Sequence, residues 1–115
     1  MPFRPDAVII HDDVSEAYES WERLAGQRVQ PAQAIWKSLQ AALAHLRADA
    51  QWGEVIPRDD IPQYFRERYG VANLYCLDLS AFHRAFYTIA NRSIILLDLV
   101  DHPTYDKWFP GRRSR

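Results

Sequence analysis

The chain has 115 residues, 48% of them hydrophobic, 25% charged and 13% aromatic, with a formal charge of −1. This composition suits a single globular domain that buries roughly two-thirds of its unfolded surface. It excludes a disordered chain, and the absence of a repeat excludes collagen-like and coiled-coil classes.

Ala7-Val8-Ile9-Ile10 is a short, mostly β-branched apolar run and reads as a strand. Asp13 and Glu16 have capping-box spacing, which predicts a helix over 14–25 that stops at Gly26. Its apolar face is Val14, Ala17, Tyr18, Trp21, Leu24 and Ala25. A second helix starts near Pro31 and fades near Ala48, with a stripe of Ile35, Leu39, Ala42, Leu43 and Leu46. The short link between the two helices predicts an antiparallel hairpin. Residues 49–60 read as a loop, and residues 61–70 as one or two helical turns ending at Gly70.

From there the hydrophobic period changes from helix to strand. Runs over 73–79, 83–90 and 94–101 are strand-like, with turns centred on Ala81 and Arg92. This register pairs Leu79 with His83 and Ala90 with Ile94. It gives one apolar face, made of Tyr75, Leu77, Leu79, Ala85, Tyr87, Ile89, Ile95, Leu97 and Leu99. The other face is mixed and carries Asp78, Arg84, Phe86, Thr88, Leu96, Asp98 and Val100. Pro103 opens a short helix through about Phe109. The fold class is therefore α+β: an N-terminal strand, a two-helix antiparallel hairpin, a three-stranded antiparallel meander completing one sheet, and a short C-terminal helix, all in one domain spanning 1–115.

No apolar run approaches the ~20 residues of a membrane-spanning helix, so no membrane partner is expected. The apolar stretch at the N-terminus is too short for a secretory signal. A single cysteine, Cys76, cannot form an internal disulfide, which fits a reducing cytoplasm and removes cysteine-based zinc sites. His11, Asp12 and Asp13 are adjacent rather than spaced for metal, and capping accounts for Asp13, so no metal or other cofactor is expected. Residues 1–56 hold five basic and eight acidic side chains, whereas residues 57–115 hold nine and seven, so a polyanion site belongs in the second half. The near-neutral total is not the basic balance usual in a nucleic-acid binder.

The candidate chemistry lies at one end of the mixed face. There Arg84 is opposite Val100, with Asp78 on its other side, and His102 follows two residues beyond Val100. With Pro103 as the first helical residue, His102 is the N-cap and Tyr105 the third residue of the helix; Asp101 is a competing cap. Arginine, histidine and tyrosine beside a helix N-terminus suit metal-independent RNA cleavage. The reaction needs a base for the 2′-hydroxyl proton, an acid for the leaving 5′-oxygen and positive charge for the phosphorane. Arg84 supplies the charge, His102 the titrating group, and Tyr105 a second proton partner or a stacking ring. Lys107 adds a further charge but points less favourably. The same residues also read plainly, as a surface ion pair, a helix cap and a packing tyrosine.

Ile61-Pro62-Gln63-Tyr64-Phe65, Arg68 through Tyr75, Arg84 through Ile89 and Leu99 through Phe109, with its D-H-x-x-Y-D pattern, resemble the C-terminal half of RelE/ParE-type toxins, nearest the RelE/HigB-like mRNA interferases. The resemblance covers about half the chain; residues 1–56 match in element order alone. It implies the toxin of a type II toxin–antitoxin system, a cytoplasmic endoribonuclease that cleaves mRNA on the ribosome and arrests translation. It assigns Arg84 to the scissile phosphate, His102 and Tyr105 to acid–base and stacking roles, and Asp101 to orienting His102. Arg58, Arg66, Arg68, Arg112 and Arg113 are then RNA-backbone contacts. The implied partners are mRNA on the ribosome and a cognate antitoxin protein covering Phe86, Leu96 and Val100, in a homodimer or a toxin–antitoxin hetero-oligomer. The alternatives on the same fold are a ParE-like, non-catalytic inhibitor of DNA gyrase and an inactivated member that only binds protein.

Overall fold

The computed structural model describes residues 3–109, without the side chain of His102. The fold is α+β, a five-stranded mixed sheet with four α-helices. In chain order these are β1 (Val8–Ile10), α1 (Asp12–Gly26), α2 (Ala32–Ala48), β2 (Glu54–Val55), a 3-10 turn at Arg58–Asp60, α3 (Gln63–Tyr69), β3 (Tyr75–Asp78), β4 (His83–Ala90), β5 (Ser93–Asp101) and α4 (His102–Trp108). The strand order is β1-β5-β4-β3-β2. β1 runs parallel to β5, and the other pairs are antiparallel. Two strand pairings go beyond the sequence reading. Glu54–Val55, read as loop, forms an edge strand on β3, and β1 closes the other edge in parallel.

α1 and α2 cover one face of the sheet. The stripe Ile35, Leu39, Ala42, Leu43 and Leu46 is buried against Tyr75, Leu77, Leu79, Ala85, Tyr87, Ile94 and Leu96. Each fully buried side chain of this size contributes about 1.5–3 kcal/mol relative to exposure. Tyr18 of α1 meets Trp36 of α2 edge-on at 4.8 Å, and Gln40 donates to the Tyr18 hydroxyl at 3.2 Å. α1 is capped by His11, whose Nδ1 accepts from the Asp13 N–H at 3.0 Å, rather than by Asp13 as the capping-box spacing suggests. Asp13 is instead drawn into an ion pair with Arg68.

The pairing of β4 with β5 carries a bulge. From His83 to Phe86 the partners are those expected, with Arg84 opposite Val100. Between Phe86 and Tyr87 the register slips by one, so Ile89 pairs with Ile94 and Ala90 with Ser93. A slip of one residue exchanges faces. Ile94 and Leu96 therefore enter the first core, whereas Ile95 and Leu97 belong to the second face. The turn that closes this hairpin is tighter than expected, with Asn91 and Arg92 both in the left-handed region.

The second face is not left for a partner. α3, α4 and the 56–61 segment cover it with Ile56, Ile61, Phe65, Tyr105 and Phe109, which pack on Leu74, Cys76, Phe86, Leu97 and Val100. Phe86 and Val100 are buried under this layer and Leu96 in the first core, so the chain itself covers all three. This overturns the expectation that an antitoxin is needed to cover them. No helix among the described residues is long and apolar enough to cross a membrane.

Candidate functional site

Arg84 is the second residue of β4, opposite Asp78 on β3 and Val100 on β5. Its side chain is only 8% exposed and is ion-paired through Nη1 with Asp78, which is 69% exposed. The guanidinium carbon lies 4.4 Å from the centroid of the Tyr105 ring. A cation held over a phenol face in a desolvated site gains from the ring quadrupole, about 2 kcal/mol at the upper end. Tyr105 is 3% exposed, with its ring 4.8 Å from Phe109 and 6.3 Å from Phe86. The pair is therefore a wedge between β4 and α4 as well as a candidate reactive pair.

Asp101 ends β5 and caps α4, its Oδ1 accepting from the Thr104 N–H at 3.1 Å. The hydrogen bonds from Thr104 hold its carboxyl below the ordinary range. The cap is thus Asp101 and not His102, because a carboxylate answers the open N–H groups of the first turn better than an imidazole does. That bond engages Asp101 with Thr104; its expected role in orienting His102 concerns a side chain outside the described residues. His102 is the first helical residue. Lys107 is exposed in the last turn of α4.

The predicted RNA-backbone arginines have separate surroundings. Arg66 donates through Nη2 to the Arg58 carbonyl and through Nε to the Ile61 carbonyl at 3.3 Å, tying α3 to the 3-10 turn. Arg58 is exposed on that turn. Arg68 is paired through Nε with Asp13, and Tyr69 donates to the same carboxylate oxygen at 3.0 Å. The Arg68 hydrogen bond lowers the Asp13 carboxyl, while burial pushes the Tyr69 phenol up. Arg68 also lines a cleft with Thr88, Ile89, Ala90 and Asn91. Thr88 is four residues along β4 from Arg84, roughly 13 Å at strand rise. Arg112 and Arg113 lie outside the described residues.

The structure therefore brings Arg84, Tyr105 and the Asp101 cap to one end of the sheet and Arg68 to another part of the second face. Comparison of the chain with family models, with curated proteins and with solved structures gives no match. Among the described residues no group of three or more His, Cys, Asp or Glu side chains is placed to hold a metal ion.

His11, Asp13, Arg68, Tyr69 and Asp98 form a polar group that no spacing in the sequence announces. Asp13 and Arg68 are 55 residues apart in the chain. No local spacing signals such a pair, and only the packing of α3 beside the β1–α1 junction creates it. Asp98 keeps its expected place on this second side, opposite Phe86 and just ahead of the bulge, and burial raises its carboxyl above the ordinary range.

Proposed function

We propose that the chain is the toxin of a type II toxin–antitoxin pair, RelE/ParE-like in fold, and acts in the cytoplasm as a metal-independent endoribonuclease on ribosome-bound mRNA. One observation carries the reading. The middle-strand arginine and the D-H-x-x-Y-D segment, far apart in sequence, meet as Arg84 over Tyr105 at 4.4 Å. Cross-strand pairing of Arg84 with Val100 supports it, because α4 begins two residues later. In this reading Arg84 stabilises charge on the phosphorane, and His102 exchanges the proton of the 2′-hydroxyl or the 5′-oxygen. Tyr105 steadies the guanidinium, and Lys107 adds charge at the helix. A cognate antitoxin protein is the regulator.

A second reading draws on a different observation: Asp78 already answers Arg84, and Tyr105 is packed away from water. Both favour a protein that acts by binding, either a gyrase inhibitor or an inactivated member that pairs with another protein.

The test is induced expression of wild type, Arg84→Ala and His102→Gln, at matched abundance and with circular dichroism to confirm folding. The nuclease reading expects both variants to lose growth arrest and mapped mRNA ends to vanish with it. Arrest by both variants at the wild-type level overturns it. Gyrase-dependent DNA damage with translation intact selects the binding reading.

A further inference from the structure

A cleft of about 610 Å³ opens on the second face of the sheet, between the end of α3 and the β4–β5 hairpin. Its size falls within the range of small-molecule sites, roughly 300–1,000 Å³. Ile95, Leu97 and Val71 give it an apolar lining. Two polar lining groups are committed elsewhere. Thr88 donates to the Asn73 carbonyl at 2.9 Å, and the Asn73 amide bonds both the N–H and the carbonyl of Ile89 at 2.8 and 2.9 Å. These bonds fix the cleft wall, and the Tyr69 hydroxyl is held by Asp13. Asn91 lies at the hairpin turn, and the groups left to recognise a charged head are His11 and Arg68.

Both of those groups present donors. The His11 Nδ1 accepts from the Asp13 N–H, so the ring proton is on Nε2. The edge contact of the imidazole with the Tyr69 ring, centroids 4.9 Å apart, holds its orientation. Arg68 uses Nε for Asp13, and a guanidinium has four further N–H donors. A rim of donors over an apolar lining selects a ligand with an anionic head and an apolar or aromatic body. The wall also includes Gly70, Val71 and Ala72, which lie outside helix and strand. The Gly70 N–H already donates to the Arg66 carbonyl at 3.0 Å. The peptide groups of Val71 and Ala72 are the ones that suit the edge of a heterocycle, and a plain acyl chain would bury them unsatisfied.

We propose that this cleft binds a nucleoside monophosphate, its phosphate against Arg68 and His11 and its base over Ile95 and Val71. The site shares Arg68 with the RNA-backbone contacts expected from the sequence, but it is distant from Arg84, and it binds whether or not the chain is a nuclease.

The experiment is an amide NMR titration of the full chain with adenosine 5′-monophosphate, inorganic phosphate and octanoate in parallel. The nucleotide is expected to shift Arg68, Thr88, Ile95 and Leu97 saturably, with a dissociation constant of about 1 mM or tighter. Phosphate alone is expected to bind at least about tenfold more weakly, since it lacks the base. Arg68→Gln should weaken nucleotide binding about tenfold or more by removing a charge-assisted contact. Ile95→Trp should fill the cleft and abolish binding, with the same spectra reporting an intact fold. The proposal is overturned if the nucleotide causes no saturable shift or binds both variants like wild type. It is equally overturned if octanoate binds more tightly than the nucleotide. Retained nucleotide binding by a His102→Gln protein that has lost growth arrest would separate this site from the cleavage reading.

Discussion

Asp98 and Arg84 show how differently two charges on one sheet face are handled. The Asp98 Oδ1 accepts from the Leu99 N–H at 2.9 Å, yet burial still raises its carboxyl above the ordinary range. The folded protein therefore binds that proton more tightly than the unfolded chain. Its contribution to stability is fullest below the unfolded carboxyl's range and is lost as pH rises through the folded one. Asp98→Asn keeps the accepting oxygen and removes the charge. It should stabilise the protein at pH 7 by on the order of 1 kcal/mol, with the gain shrinking as pH falls towards 4; urea melts at both pH values measure it. Arg84 predicts an asymmetry. Asp78→Ala strips a buried guanidinium of its carboxylate, whereas Arg84→Met leaves behind a carboxylate that already faces water. Asp78→Ala should therefore be the more destabilising of the two, by about 1–3 kcal/mol in total. Equal losses, or a larger one for Arg84→Met, would show that Arg84 draws little from that carboxylate.

At the scale of elements, periodicity gave the helices and the strands β3 to β5 to within a residue or two, because their apolar spacing is regular. It failed where one residue changes the geometry. The bulge beside Tyr87 moved Ile95 and Leu97 to the second face and brought Ile94 and Leu96 into the first core. No residue type in 83–101 marks that bulge, so an uninterrupted alternation was the simplest reading. The two-residue strand β2 was equally hidden, since Gly53 looked like a loop residue. Its role is steric: a Cβ there would lie 2.7 Å from the Tyr87 hydroxyl and 3.1 Å from the Cys76 carbonyl. The Gly53 N–H also donates to that hydroxyl at 3.0 Å, and the hydroxyl donates to the Ala50 carbonyl at 2.9 Å. Gly53→Ala should cost about 1–3 kcal/mol through overpacking, read from a thermal melt. The β3–β4 turn predicts the opposite sign. Ala81 has φ 58° and Phe82 φ 57°, a conformation that costs an L-residue about 1–2 kcal/mol. Ala81→Gly should raise stability by about 0.5–1 kcal/mol after the entropy that glycine adds to the unfolded chain.

At the scale of the whole molecule, the sheet is a middle layer with a core on each side, and the sequence disclosed only one of them. The second face read as mixed because Arg84, Thr88 and Asp98 interrupt it, whereas its cover comes from α3 and α4, two helices of seven residues with little pattern of their own. The candidate site was legible to the same degree. The Arg84–Val100 pairing followed from hairpin register, but the burial of Tyr105 depended on that unseen layer. This layering ranks the strands by how hard they are to open. β4 is flanked on both edges by strands and on both faces by packed side chains, with Ala85, Phe86 and Tyr87 fully buried. β1 and β2 have a single strand neighbour each, and β2 is exposed along its length. Local opening is easiest where few buried contacts must be broken. Native-state hydrogen exchange should therefore find the slowest amides in β4 and in its partners on β5, opening only with global unfolding. The amides of β1 should exchange sooner, and those of β2 sooner still. Tyr105→Ala probes the same architecture from the other side, since removing a packed ring costs about 3–5 kcal/mol. It should lower global protection in β4 while leaving the rank order of the strands unchanged. If β4 instead kept its protection and only α4 exchanged faster, α4 would be a detachable cover and the sheet would be held by its α1–α2 side alone.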